Sequence, residues 1–277
     1  MGRETRASEV VSYLFFTVFC LLALFPFVVA FITSLKVKSE IYSMPFRWVP
    51  KLPTLENYYN VLVVGGFVRF FLNSLIIAAL TTVLTVFLAM LGGYGFSRYR
   101  FKGRNILRIG SLAGYIVPTA VLFVPFYVMM DAFNLLNSLW SLILTYSALN
   151  LPISLLMLSG YFESIPRELD QAAIIDGCSR VGALTRIILP LASPGIVSVG
   201  LFCFISSWQE FLFALIYIEE VPKRTLALGL ATYKGLYGVD WGNLMAATVF
   251  AVLPTTIVFV LFQKWLIAGL TKGALKA

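Results

Sequence analysis

The chain alternates between long apolar stretches and shorter polar ones, and this alternation sets the expected architecture. Six apolar stretches stand out, at about 11–33, 69–94, 109–130, 139–161, 194–218 and 244–267. Each is long enough for the roughly 20 residues that a helix needs to cross a hydrocarbon core. The first follows Arg3 and Arg6, as the apolar region of a secretory signal would. It is longer than such a region and lacks a clear small-residue exit, so it reads as a retained span. Pro118 and Pro125 fall in the third stretch and are expected to kink it, with neighbouring helices satisfying the freed carbonyls. Gly92, Gly93 and Gly95, at the inner end of the second, point to close helix packing.

The polar stretches orient the spans. Residues 97–108 hold Arg98, Arg100, Lys102, Arg104 and Arg108 and no acid, the strongest cytoplasmic marker in the chain. Residues 131–138 carry no Lys or Arg, as an outer loop should. Residues 34–68 and 219–243 are turn-rich and aromatic, with Phe46, Trp48, Tyr58, Tyr59, Tyr233, Tyr237 and Trp241 suited to the outer interface. With this orientation 13 of the 21 Lys and Arg are inside, including Lys264, Lys272 and Lys276 of the tail. The expectation is an all-α, multi-pass protein of the cytoplasmic (inner) membrane. It forms one transmembrane domain over 1–277, with six transmembrane helices and both termini cytoplasmic.

Composition agrees and removes several functions. The chain is 60% hydrophobic and 12% charged, against about a quarter charged for a soluble domain. Its net charge of +8 sits in loops between spans rather than on a soluble face, which argues against nucleic acid as a partner. There is no His, and Cys20, Cys178 and Cys203 have no metal-ligand spacing, so no metal site and no Ser-His or Cys-His catalysis is expected. No glycine-rich phosphate loop ending in Gly-Lys-Ser/Thr is present, so the chain is not expected to bind ATP itself.

The most informative polar stretch is 162–187. Pro166 suits a first helical turn, and Glu168 and Asp170 place negative charge where the helix dipole favours it. Leu169, Ala172, Ala173 and Asp176 follow one helix face, and Gly177 supplies a stop. The pattern predicts a short helix over 166–177 with a flat, small-residue face on which a partner backbone could dock. A merely interfacial amphipathic loop is the alternative.

Gln171-Ala172-Ala173, Asp176-Gly177 and Ile188-Leu189-Pro190 resemble the EAA loop of ABC importer permeases. The resemblance covers almost the whole chain and is closest to the second permease of maltose-type carbohydrate importers. It is supported by Ser34-Leu35-Lys36, Glu56-Asn57-Tyr58, Asn73-Ser74-Leu75, Trp208-Gln209-Glu210-Phe211-Leu212 and Gly269-Leu270-Thr271-Lys272-Gly273. The Glu that opens the family motif is Gln171 here. The resemblance implies that Glu168, Gln171, Ala172, Ala173, Asp176 and Gly177 form a coupling helix that docks on an ATPase. It implies as partners a homologous second permease, two ATPase subunits that hold ATP and Mg, an extracytoplasmic solute-binding protein, a carbohydrate and the membrane lipid.

Candidate pathway residues are Asn73, Asn150, Trp208, Gln209 and Glu210. Glu210 is the one acid well inside an apolar stretch, where a carboxylate is costly unless it faces protein or water. It serves either a structural hydrogen bond or a polar pathway. Asn73 and Asn150 either bond between helices or face a sugar hydroxyl. Tyr115, Phe126, Tyr146 and Trp208 could stack on a sugar or simply pack. A stand-alone secondary transporter or channel is the alternative function, and an enzyme comes third.

Overall fold

A computed structural model describes residues 2–45, 47–235 and 238–274, with side chains described from 9 to 265 within them. Phe46, Tyr237 and Lys276, and the side chains of Arg3, Arg6 and Lys272, lie outside the described residues. The principal helices of the described residues are α1 (Gly2–Ser34), α2 (Phe67–Arg98), α3 (Arg104–Ile116), α4 (Phe123–Ala132), α5 (Leu139–Ser164), α6 (Glu168–Ile175), α7 (Leu189–Gln209), α8 (Leu212–Tyr217) and α9 (Trp241–Ala274). Among the described residues five helical stretches are long and apolar enough to cross a membrane, and α3 with α4 make a sixth if the bent pair counts as one span.

That pair departs from the expected continuous span 109–130. Its two limbs differ by 95°. Val117, held before Pro118, takes extended backbone at φ −61° and ψ 126°, because the proline ring crowds the α conformation of its predecessor. Pro125 causes no break, since it lies in the first turn of α4, where a missing N–H costs nothing. The expected span 194–218 also differs. Its helix begins earlier, at Leu189, and stops at Gln209, and Glu210 and Phe211 separate it from α8.

The described residues divide into two compact units. One comprises residues 1–68 and 229–253. Its α1 exposes every side chain from Glu9 to Val28. The stretch after α1 forms short helical turns, Lys38–Ile41, Glu56–Tyr59 and Asn60–Val64, which side chains tie together. The Asn57 amide donates to the carbonyls of Ser34 and Lys36 at 2.9 Å, and the Ser34 and Tyr58 hydroxyls meet at 2.7 Å. The buried Lys36 ammonium donates to the Arg47 carbonyl. A two-residue antiparallel ladder pairs Lys234 with Val239, and the Tyr42 hydroxyl donates to the Val239 carbonyl at 2.8 Å. Beside the ladder, burial and then the Asp240 carboxylate push the Tyr233 hydroxyl up to about 12, so it stays neutral at physiological pH.

The other unit comprises 69–228 and 254–277. One of its cores gathers Ile77, Met130, Leu142, Tyr146, Phe213 and Tyr217, and a second gathers Ala89, Leu158, Phe162, Ile188, Val199 and Cys203. Helix α5 runs through both. Gly93 of α2 carries the close approach expected of it, for a Cβ there would lie 3.0 Å from the Ser159 nitrogen and 3.1 Å from Leu158 Cβ. At Gly92 only the flexible end of Leu155 is near, and Gly95 faces open space. On α3 the ridge of Arg104 and Arg108 turns toward α5, where both guanidinium groups meet Glu163 at 2.9 and 3.1 Å. Its Ile106, Ile109 and Ile116 are exposed. This helix therefore shows charge to its own chain and apolar side chains outward, as a lipid-facing element would.

Candidate coupling helix and membrane polar residues

Helix α6 covers Glu168–Ile175, the centre of the predicted 166–177 helix. Its end is built by the sequence at hand. Gly177 has φ +86°, the Cys178 N–H donates to the Ala173 carbonyl at 2.9 Å, and the Gly177 N–H to the Ile174 carbonyl at 3.1 Å. These two bonds are the paired ties of a Schellman stop, which needs a left-handed residue where Gly177 stands. The Ser179 hydroxyl accepts from the Gly182 N–H at 3.1 Å, starting the next helical turn, Arg180–Ala183.

The two sides of α6 differ from the reading of a single Ala-Ala face. Glu168, Gln171, Ala172, Asp176 and Gly177 are exposed, whereas Ala173 is 2% exposed and belongs to this chain's own interior. Adjacent residues on a helix point about 100° apart. Ala172 and Ala173 therefore part company, and only Ala172 is free to meet another protein.

The inner side is fixed by an acid whose partners the sequence reading missed. Asp170 Oδ2 lies 2.7 Å from Arg98 Nε, and the Tyr94 hydroxyl donates to Asp170 Oδ1 at 2.9 Å. The side chains of Arg98 and Asp170 are only 7% and 14% exposed. Arg98 also donates to the Phe162 carbonyl at 2.9 Å, and Arg167 donates to the Ser97 carbonyl at 2.7 Å. Removing one partner of a buried pair leaves an uncompensated charge, at a cost of about 3–5 kcal/mol. Arg180 sits over the Tyr99 ring, 5.7 Å from its centre. No local signal could pair Arg98 with Asp170, since they lie on different elements far apart in sequence.

The candidate pathway residues are dispersed among structural roles. The Asn73 amide donates to the carbonyls of Pro222 and Arg224, at 2.9 and 3.0 Å. The Asn150 amide donates to the Tyr146 carbonyl at 2.9 Å. Trp208 is buried, edge-on to Phe71 and stacked with Phe204. Gln209 is exposed. Glu210, expected within a continuous span, instead stands at the break after α7. One carboxylate oxygen accepts from the Phe213 N–H at 2.9 Å, and the other from the Tyr146 hydroxyl. The carboxylate thus caps α8 and satisfies a buried phenol. Among the described residues no group of His, Cys, Asp and Glu could hold a metal ion.

Comparison with known proteins gives this arrangement its family. Residues 85–272 match the binding-protein-dependent transport system inner membrane component family. The chain is 40% identical over 253 residues to the sulfoquinovosyl glycerol transport system permease protein SmoH of Agrobacterium fabrum, covering 91% of this chain and 89% of that one. It is 38% identical over 259 residues to the trehalose/maltose transport system permease protein MalG of Thermococcus litoralis, covering 92% of each. Its fold matches a crystal structure of a bacterial ABC transporter involved in the import of the acidic polysaccharide alginate. That match has a TM-score of 0.81 at 22% identity, over 95% of this chain and 97% of that one. The chain belongs to the binding-protein-dependent transport family, the inner-membrane permeases of ABC importers. It is a multi-pass membrane transport subunit, not an enzyme.

Proposed function

We propose that this chain is one permease half of an ABC importer that carries a carbohydrate across the cytoplasmic membrane. The observation that carries the substrate class is the likeness, along nine-tenths of the chain, to permeases named for a sulfoquinovosyl glycerol and for trehalose and maltose. A homologous permease completes the pathway, two ATPase subunits bind ATP and Mg, and an extracytoplasmic solute-binding protein delivers the sugar. Helix α6 docks on an ATPase through the exposed Glu168, Gln171, Ala172 and Asp176. Gly177 holds the turn behind them. Closure of the ATPases then rocks the spans between inward-open and outward-open states.

The test is assembly together with stimulation. Purified in mild detergent from its native membrane, the tagged chain is expected to bring an ATPase and a second permease. The isolated assembly is expected to hydrolyse ATP faster when a sugar-loaded binding protein is added. Transport by the chain alone, without ATP, would overturn the reading.

Orientation has its own check. Residues 97–108 belong in the cytoplasm because five basic residues without an acid resist translocation. Lys102 is exposed, so Lys102→Cys is expected to escape an impermeant thiol reagent in intact cells and to label once the membrane is opened. Labelling in intact cells would invert the topology.

A further inference from the structure

We infer that α2 acts as a strut carrying motion between the coupling helix and the outer segment 222–226, with Asp170 and Asn73 as the positioning residues at its two ends. The inference rests on the coupling reading of α6 given above. At the inner end, α2 holds α6 by side chains. Arg98 and Tyr94 both engage the Asp170 carboxylate, at 2.7 and 2.9 Å, and Arg167 donates to the carbonyl of Ser97 at 2.7 Å. Burial keeps water from loosening these ties. The direct link from α5 to α6 is a short bend through Ile165, whose N–H donates to the Phe162 carbonyl. A pull on α6 therefore reaches α2 through an ion pair and two hydrogen bonds.

At the outer end the same helix is tied again. The Asn73 amide bridges the carbonyls of Pro222 and Arg224, and the Ser74 hydroxyl accepts from the Leu226 N–H at 2.8 Å. Asn73 and Ser74 are buried, at 9% and 4% exposure, so both polar groups are spent on this tie. Next to it Glu219, Glu220, Val221 and Pro222 are exposed, a mixed polar surface accessible to a binding protein.

What lies between the ends is stiff. Helices α1, α5, α7 and α9 each contain a proline, Pro26, Pro152, Pro194 and Pro254, and the bent pair is divided at Pro118. Residues 69–98 contain none. Proline and glycine pairs are common causes of sharp helix kinks; α2 has no proline, and its Gly92-Gly93 pair is braced against α5, where a Cβ at Gly93 would lie 3.0 Å from the Ser159 nitrogen, so α2 is the span built to transmit displacement with little bending. At 1.5 Å per residue the clamps at Asn73 and Arg98 stand about 37 Å apart.

The test uses the complete assembly of this chain with its second permease and ATPases in lipid nanodiscs. Asp170→Asn, Asn73→Ala and the double variant are compared with the native complex. Asp170→Asn is expected to lower the thermal midpoint of the permease through the lost ion pair, but it leaves the exposed Glu168, Gln171 and Ala172 in place, so each single variant should still bind the ATPase and keep basal hydrolysis within about twofold. Each is expected to lose about tenfold of the stimulation by the sugar-loaded binding protein, within the range of site-to-site couplings. Because both residues serve one strut, the double variant should lose no more than the worse single variant. Asp170→Glu, which keeps the charge toward Arg98, should recover most of the stimulation. Thermal midpoints taken on the same variants provide the structural control: a loss of stimulation that merely follows the fall in midpoint would overturn the strut. Multiplying losses in the double variant, an unaffected Asn73→Ala, or loss of the ATPase from Asp170→Asn would each overturn the strut. A native complex without stimulation would instead remove the transport reading, and the strut with it.

Discussion

Ala172→Trp is expected to leave the membrane spans folded and to weaken assembly with the ATPase about 30- to 150-fold. Ala172 is exposed on α6, on the side away from Asp170 and Ala173, so an indole there meets nothing of its own chain. The cost falls on the docked partner, because a close-packed contact has no spare volume for it. Overpacking of this kind costs about 1–3 kcal/mol and occasionally more. The upper half of that range weakens docking about 30- to 150-fold, since every 1.4 kcal/mol is tenfold. Ala173→Trp is the control: Ala173 is buried in its own chain, so that variant should lower the yield of folded protein instead. The measurement is the ATPase recovered with each variant, beside the thermal midpoint of the permease. Full recovery with Ala172→Trp and normal uptake would mean that α6 is not the docking element.

Glu210→Leu should be the most damaging single change inside the membrane region. Leucine fits an apolar surround, and by hydropathy alone the change looks favourable. The structure says otherwise, because the carboxylate accepts from both the Tyr146 hydroxyl and the Phe213 N–H. Each donor orphaned away from water costs about 1–3 kcal/mol, so the pair costs about 2–6 kcal/mol. Glu210→Gln keeps its oxygen for the Phe213 N–H, and its amide can donate to a Tyr146 hydroxyl that turns to accept, so it should lose about 1 kcal/mol or less. Thermal unfolding in detergent, with uptake measured alongside, separates the two. A Leu variant as stable as the native chain would remove the capping role of Glu210.

Much of the fold was legible because hydropathy does not depend on knowing a helix's neighbours. A stretch that must cross hydrocarbon announces itself by length, and five such stretches of helix are present among the described residues. The breaks were harder to see. Pro118 signalled a kink, but a bend of 95° depends on what each limb packs against. Glu210 read as a costly acid because periodicity carries no account of a side chain that turns back to cap the following helix. Helix α6 was legible in its place and in its glycine stop, since both are local properties. Its orientation was not. Spacing groups Leu169, Ala172, Ala173 and Asp176 on one side but cannot tell a face turned to a partner from one turned home. What decided it was Asp170, drawn inward by Arg98 and Tyr94, two residues whose proximity no local rule expresses.

The bareness of α1 bears on how the protein is made. No side chain from Glu9 to Val28 is buried in the rest of the chain. This helix therefore gains nothing by waiting for its neighbours, and it can leave the ribosome and settle in the bilayer on hydropathy alone, ahead of the helix packing that follows. Substitutions between Glu9 and Val28 should alter the efficiency of insertion and leave the melting of the remaining bundle unchanged.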